Sequence, residues 1–192
     1  MAPRVGVLDL QGDVSEHVEA LQRAGAEAVR IKRVEQLADL DGLVIPGGES
    51  TAIGKLMTHY GFMEAIPRQA ARGMGVYGTC AGLILVATEV EGSDQPRLGL
   101  MDMVAKRNAF GRQVDSFEAD LDIPELGPEP MPAVFIRAPY VGSVGKGVKV
   151  LAKVGEKIVM AASGKHLVTA FHPELTEDAR VHRYFVERLR KS

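Results

Sequence analysis

The first half of the chain repeats one pattern: a short apolar run, a glycine-bearing turn, then a stretch with helical spacing. Val5 to Leu10 reads as a buried strand, and "QGD" turns the chain. Asp13 and Glu16 stand at capping-box spacing ahead of a helix. Val14, Val18, Leu21 and Ala24 form its apolar stripe, and Gly25 suits its C-terminal end. "EAVRIK" is a second strand and "GLVIPGG" a third. Helical patterns follow over 51–60 and 63–72, then a short strand "MGVY", then "AGLILVA" opening another helix. Alternation of this kind constrains a chain to a parallel sheet covered by helices on both faces. Right-handed crossovers then bring the carboxyl ends of the strands to one edge. "LDLQG", "VIPGGES" and "VYGTCAG" all leave strands there, so three sequence-distant loops are expected to converge.

The second half reads differently. "FGRQVDSFEADLDI", "AVFIRAP", "VKVLAKV", "KIVMAAS" and "HLVTAFHPE" are strand-like runs with few helical stretches between them, expected to add antiparallel strands to the same sheet. Pro124 to Pro132 reads as a loop. Glu177 to Arg190 reads as a closing helix with Val181, Phe185 and Leu189 on one face. The expected architecture is a three-layer α/β fold with a mainly parallel central sheet. A length of 192 residues suits one domain over 1–192.

Composition removes several function classes. With 46% hydrophobic and 25% charged residues, the chain can bury a substantial core. A net charge of −2 offers no general attraction to nucleic acid or to an acidic membrane. No stretch approaches the roughly 20 apolar residues of a membrane span, and Asp9 interrupts the apolar start as a signal peptide would not. A single cysteine, Cys80, forms no internal disulfide, and the cytoplasm is the expected compartment.

Cys80 lies in Gly78-Thr-Cys-Ala-Gly82, the spacing of a nucleophile elbow with cysteine in place of serine. Such an elbow is a sharp strand-to-helix turn that aims the nucleophile from strained backbone, with glycines permitting close approach. It also sets sulfur at a helix N-terminus, where the macrodipole favours thiolate. A small core cysteine between packing glycines is the competing reading.

A nucleophilic cysteine requires a base, and the base an orienting group. His17, His59 and His182 fall in helical patterns and read as surface histidines, and His166 as a turn residue. His172 ends the apolar run 167–171 and is followed by Pro173 and Glu174. Residues two apart on extended chain point the same way, so Glu174 can face the His172 imidazole, and Pro173 fixes the local φ. Pro46-Gly-Gly-Glu-Ser-Thr51 supplies two glycines after a strand, able to turn backbone N–H groups toward an oxyanion. Its spacing to Gly54-Lys55-Leu56 is not that of a P-loop. Arg107 and Arg137, taken alone, read as surface arginines.

"GTCAG" with a downstream "HPE" resembles the class I, triad-type glutamine amidotransferases. "LDLQGD", "PGGEST", "RNAFGRQ" (Arg107 to Gln113) and "FIRAP" (Phe135 to Pro139) narrow the resemblance to the glutaminase subunits of pyridoxal 5′-phosphate synthase, over essentially the whole chain. The resemblance implies Cys80 as nucleophile with His172 and Glu174 completing a triad. It implies glutamine binding by Gly47, Gly48, Glu49, Arg107, Ile136 and Arg137, and places Gln11 near the oxyanion loop. An arginine there has a reason to exist, because the α-carboxylate of glutamine accepts bidentate pairing. It further implies ammonia transfer to a barrel-shaped synthase subunit, with no metal or organic cofactor on this chain. Two alternatives share these motifs in part. One is the glutaminase of another pathway, such as imidazole glycerol phosphate synthase. The other is a stress-response or chaperone-like protein of the same broad fold, against which the "HPE" pair argues.

Overall fold

The computed structural model describes residues 1–107 and 116–191. Its elements run β1 (Arg4–Leu8), α1 (Val14–Arg23), β2 (Glu27–Ile31), β3 (Gly42–Ile45), α2 (Ser50–His59), α3 (Phe62–Ala71), β4 (Gly75–Thr79), α4 (Ala81–Val86) and β5 (Ala87–Val90). There follow β6 (Met101–Lys106), β7 (Ser116–Leu121), β8 (Met131–Ile136), β9 (Tyr140–Val144), β10 (Lys149–Val154), β11 (Lys157–Ser163), β12 (His166–Thr169) and α5 (Arg180–Arg190).

The main sheet has ten strands in the order β2-β1-β3-β4-β12-β11-β9-β6-β5, with β10 branching from β11. Pairing is parallel from β2 through β12 and antiparallel around β11 and between β6 and β9, while β5 and β6 pair in parallel. β3 and β4 are buried along their whole length, as strands covered on both faces must be. Strand order reverses at β1: β2 lies on one side of it and β3 on the other. Right-handed crossovers therefore send α1 to one face and the α2–α3 pair to the opposite one. α5 packs on α1, and α4 on α2. The apolar core is one continuous cluster reaching from Val5 to Leu189.

Several expectations from the sequence change. The strand "HLVT" pairs antiparallel with β11 as expected, but only on one side. It enters the parallel core as β12, beside β4 with Leu167 opposite Tyr77. β7 and β8 form a separate two-stranded ribbon. β5, β6 and β9 were not foreseen. β5 follows α4 with no turn residue, the chain going extended at Ala87 (φ −63°, ψ 155°). β6 hides its alternation in methionines, with Met101, Met103 and Ala105 buried, and β9 carries a glycine at its centre. The closing helix begins at Arg180, after a 3₁₀ turn over Pro173–Leu175. A second such turn, Pro124–Leu126, occupies part of the expected loop. The capping box of α1 does not form, because the Asp13 side chain makes no cap hydrogen bond. "RNAFGRQ" lies outside the described residues beyond Arg107.

Candidate active site

Cys80 occupies the turn between β4 and α4 with φ 55° and ψ −108°, a conformation few side chains adopt. Its two neighbouring glycines have separate reasons. A Cβ on Gly78 would stand 2.3 Å from the carbonyl oxygen of Gly82, so β4 and the first turn of α4 could not close. A Cβ on Gly82 would stand 2.3 Å from the carbonyl oxygen of Ile45, so α4 could not settle against β3. The elbow is then tied to the neighbouring strand, where the Cys80 N–H donates to the Thr169 carbonyl at 2.8 Å.

That tie brings the end of β12 to the thiol. His172 is 6% exposed, its N–H donates to the Val134 carbonyl at 2.8 Å, and its ring lies beside Cys80. Its ring nitrogen Nδ1 lies 2.6 Å from Glu174 Oε2, and the Glu174 side chain is fully buried. Burial disfavours the imidazolium. Cys80 and the Glu174 carboxylate, which accept from the imidazolium and attract its charge, outweigh burial and raise the His172 pKa to about 10. Burial pushes the Glu174 carboxyl above its ordinary range, and the bond to His172 pulls it partly back. The Asp13 carboxylate stands 3.9 Å from His172 Nδ1, a second acid beside the imidazole.

The loop after β3 closes the other wall. Gly47 is buried, and a Cβ on it would stand 2.9 Å from His172 Cε1 and 3.3 Å from Cys80 Cβ. Gly48 has φ 148°. Gln11 Oε1 accepts the Glu49 N–H at 2.7 Å. The Glu49 carboxylate caps α2, accepting from the N–H groups of Ala52 at 2.7 Å and Thr51 at 3.2 Å. These bonds, the Ala52 one foremost, hold its pKa low, and the charge of Arg107 adds to the effect. On the far side, the Ile136 carbonyl accepts from Cys80 Sγ at 3.7 Å, and Arg137 follows at φ 45°, a second strained non-glycine residue. Gly48, Glu49, Cys80, Arg107 and Arg137, with Ser50, Ala81, Ile84 and Pro139, line a cleft of about 460 Å³. A larger cleft of about 560 Å³ beside Thr88 and Arg97 holds neither cysteine nor histidine, so the chemistry belongs to the smaller one.

Of the ten residues singled out from the sequence, Gly48, Glu49, Cys80, Arg107 and Arg137 line the cleft, and Gln11, Gly47, Ile136, His172 and Glu174 stand behind them. Two were missed there. His17 and His182, read as surface residues, are fully buried, with His17 Nδ1 2.9 Å from His182 Nε2. The signal was present: His17 lies on the apolar stripe of α1 between Val14 and Leu21, and His182 precedes Phe185 by three on that of α5. Those two helices face each other, and their stripes meet. His166 is a bonded strand residue, its Nδ1 accepting the Val76 N–H at 3.0 Å.

Comparison with known proteins agrees with this geometry. Residues 7–191 match the SNO glutamine amidotransferase family. A pyridoxal 5′-phosphate synthase subunit PdxT from Pelotomaculum thermopropionicum is 60% identical over 185 residues, covering 96% of this chain and 94% of that one. Its namesake from Carboxydothermus hydrogenoformans is 57% identical over 188 residues, 98% of each chain. A crystal structure of a glutamine amidotransferase superposes with a TM-score of 0.91 at 49% identity, over 96% of this chain and 98% of the other. Sequence, fold and relatives converge: the chain belongs to the SNO glutamine amidotransferase family.

Proposed function

We propose that this chain hydrolyses L-glutamine to L-glutamate and ammonia as the glutaminase subunit of a pyridoxal 5′-phosphate synthase, with Cys80, His172 and Glu174 as its triad. The observation that carries the reading is the His172 imidazole, packed beside the Cys80 elbow at the cleft and held by Glu174 Oε2 at 2.6 Å from Nδ1. The relatives, subunits of pyridoxal 5′-phosphate synthase, favour that pathway, and with it vitamin B6 synthesis, over imidazole glycerol phosphate synthesis.

Each step follows from a placed atom. The Cys80 thiol passes its proton to His172, and the sulfur attacks the side-chain carboxamide carbon of glutamine. His172 gives that proton to the departing nitrogen, which leaves as ammonia while a thioester forms. Water then loses a proton to His172 and cleaves the thioester, releasing glutamate and restoring the thiol. Glu174 Oε2 fixes the proton on Nδ1 and stabilises the imidazolium between transfers. The N–H of Ala81, the residue after the nucleophile, and the Gly47-Gly48 backbone are the donors for the oxyanion. The Glu49 N–H is committed to Gln11. Arg107 and Arg137 pair with the α-carboxylate, and Glu49 with Ile136 completes the glutamine pocket. The ammonia goes to a barrel-shaped synthase subunit, without a metal or organic cofactor here. We read residues 1–192 as one domain, on the strength of its continuous core, acting in the cytoplasm. Among the described residues no helix is long and apolar enough to cross a membrane.

The test is Cys80→Ser assayed with the synthase subunit. Serine is nearly isosteric but far less acidic, so glutamine-dependent product formation should fall by orders of magnitude. Ammonium salt at high pH should restore it. Failure of ammonium to rescue a stably bound mutant would mean that Cys80 serves some other step, and the glutaminase reading would be withdrawn.

A further inference from the structure

The triad does not end at Glu174. Among the described residues, Oε2 of its carboxylate is bonded to His172, while the equally buried Oε1 has no hydrogen-bond partner. The residue facing that oxygen is His17, whose Nε2 lies 3.7 Å away, both side chains being fully buried. His17 Nε2 also lies 3.3 Å from Thr79 Oγ1, and His17 Nδ1 lies 2.9 Å from His182 Nε2. His182 Nδ1 is buried without a hydrogen-bond partner.

These contacts select one tautomer. One proton must sit between His17 Nδ1 and His182 Nε2. Were it on His17, two faults would follow. The bare Nε2 lone pair would face a carboxylate oxygen, and the proton of neutral His182 would sit on Nδ1 as an orphaned buried N–H, the rarest kind of unsatisfied group. With the proton on His182 Nε2, both faults vanish. His17 Nδ1 accepts, His17 Nε2–H points toward Glu174 Oε1 and Thr79, and only an acceptor is left bare on His182.

We propose that His17 is a positioning residue for the triad: its Nε2–H, held in that tautomer by His182, restrains the free oxygen of Glu174 so that the other oxygen stays on His172. The inference rests on the triad reading above. His17 touches neither glutamine nor the sulfur; it acts through Glu174. The groups facing it are His182 from α5, Tyr77 and Thr79 from β4, and His172 and Glu174 after β12, with Asp13, the residue before α1, beside His172. Arg23 adds positive charge near His182. Burial and these neighbouring histidines keep His17 neutral, as an N–H donor that is not a second acid requires.

The test uses the full chain with its synthase partner. His17→Leu removes the donor. The kcat for glutamine should fall about 10²-fold, the cost of a misplaced catalytic group, with KM unchanged. The pH midpoint for alkylation of Cys80 by iodoacetamide should rise by about one unit, because a poorly held carboxylate stabilises the imidazolium less. His17→Gln, which returns an amide N–H near the Nε2 position, should recover most of both. A folded His17→Leu with wild-type kcat and midpoint overturns the proposal, as does an equal loss in His17→Gln with no shift of the midpoint. If His17→Leu does not fold, nitrogen-15 imidazole spectra of the wild type decide: a proton on Nδ1 of His17 overturns the proposal, and one on Nε2 supports it. In every arm the Cys80→Ser control separates loss of this inference from loss of the glutaminase reading.

Discussion

Gln11 Oε1 accepts the Glu49 N–H at 2.7 Å, joining the loop after β1 to the loop after β3 where the strand order reverses. Backbone closes around the tie: a Cβ on Gly12 would stand 2.0 Å from the Gly47 carbonyl oxygen. Gln11→Ala removes the anchor of the loop that carries Gly47 and Gly48. The expected loss is about 1 kcal/mol of stability, one hydrogen bond, and roughly fivefold in kcat/KM if that energy also orients the oxyanion donors. Steady-state glutaminase kinetics with the synthase present check it; unchanged kcat/KM would show that the tie is structural only.

Glu174→Gln replaces the acceptor at 2.6 Å from His172 Nδ1. Its amide can present nitrogen to the imidazole and so favour the wrong tautomer. The fold should survive, and kcat should fall by about 10⁴, as in a serine-protease triad that loses its orienting carboxylate. The measurement is single-turnover formation of glutamate, with circular dichroism confirming the fold. Near-wild-type turnover would remove Glu174 from the triad.

Gly78→Ala and Gly82→Ala each force a methyl against a backbone carbonyl oxygen at 2.3 Å. Backbone cannot swing aside as a side chain can, so each variant should lose about 3 kcal/mol or more, at or above the overpacking range. Urea unfolding reads this directly. A loss below about 1 kcal/mol at both sites would show that the elbow has room the geometry denies it.

Stability should peak near pH 6.5. Above it, His172, raised to about 10 in the fold, holds a proton that the unfolded chain releases near 6.5, so its contribution is lost as pH climbs toward 10. Below it, His17 and His182, the latter lowered to about 3, stay neutral in the fold while the unfolded chain takes up protons. Two histidines give a slope of up to about 2.7 kcal/mol per pH unit above the range where Glu174 intervenes. Glu174, raised in the fold, opposes that slope once its unfolded carboxyl begins to ionise near 4.5. His182→Phe should remove about half of the acid slope. Denaturation curves between pH 4.5 and 10 test it, and a flat profile would contradict the buried neutral histidine pair.

The elbow was legible because local chemistry demands glycine where backbones touch. The pairing of His172 with Glu174 was legible too, but its geometry was not: Glu174 reaches the imidazole from a 3₁₀ turn over Pro173–Leu175, not from extended chain. The parallel core was legible for a similar reason, since β1, β3 and β4 are continuous apolar runs bounded by turns. Pairing partners were not. Nothing local in "HLVT" says that it inserts beside β4, because parallel neighbours are chosen by the whole sheet. Nor does a histidine on an apolar stripe announce its partner. His17 and His182 become a pair only when α1 and α5 meet, and that contact depends on the strands between them.

The position of β12 has a consequence for the life of the chain. Its strand neighbours, β4 and β11, come before it in sequence, and it slots between them only after both have been made. Until then the elbow lacks the Thr169 carbonyl that pins it and the imidazole that would share its proton. A nascent or truncated chain ending before His166 therefore lacks the imidazole and carboxylate that stand beside Cys80, and with the triad as proposed it should not consume glutamine. Chemistry here waits for assembly of the sheet, so an incomplete copy costs the cell a polypeptide and none of its nitrogen.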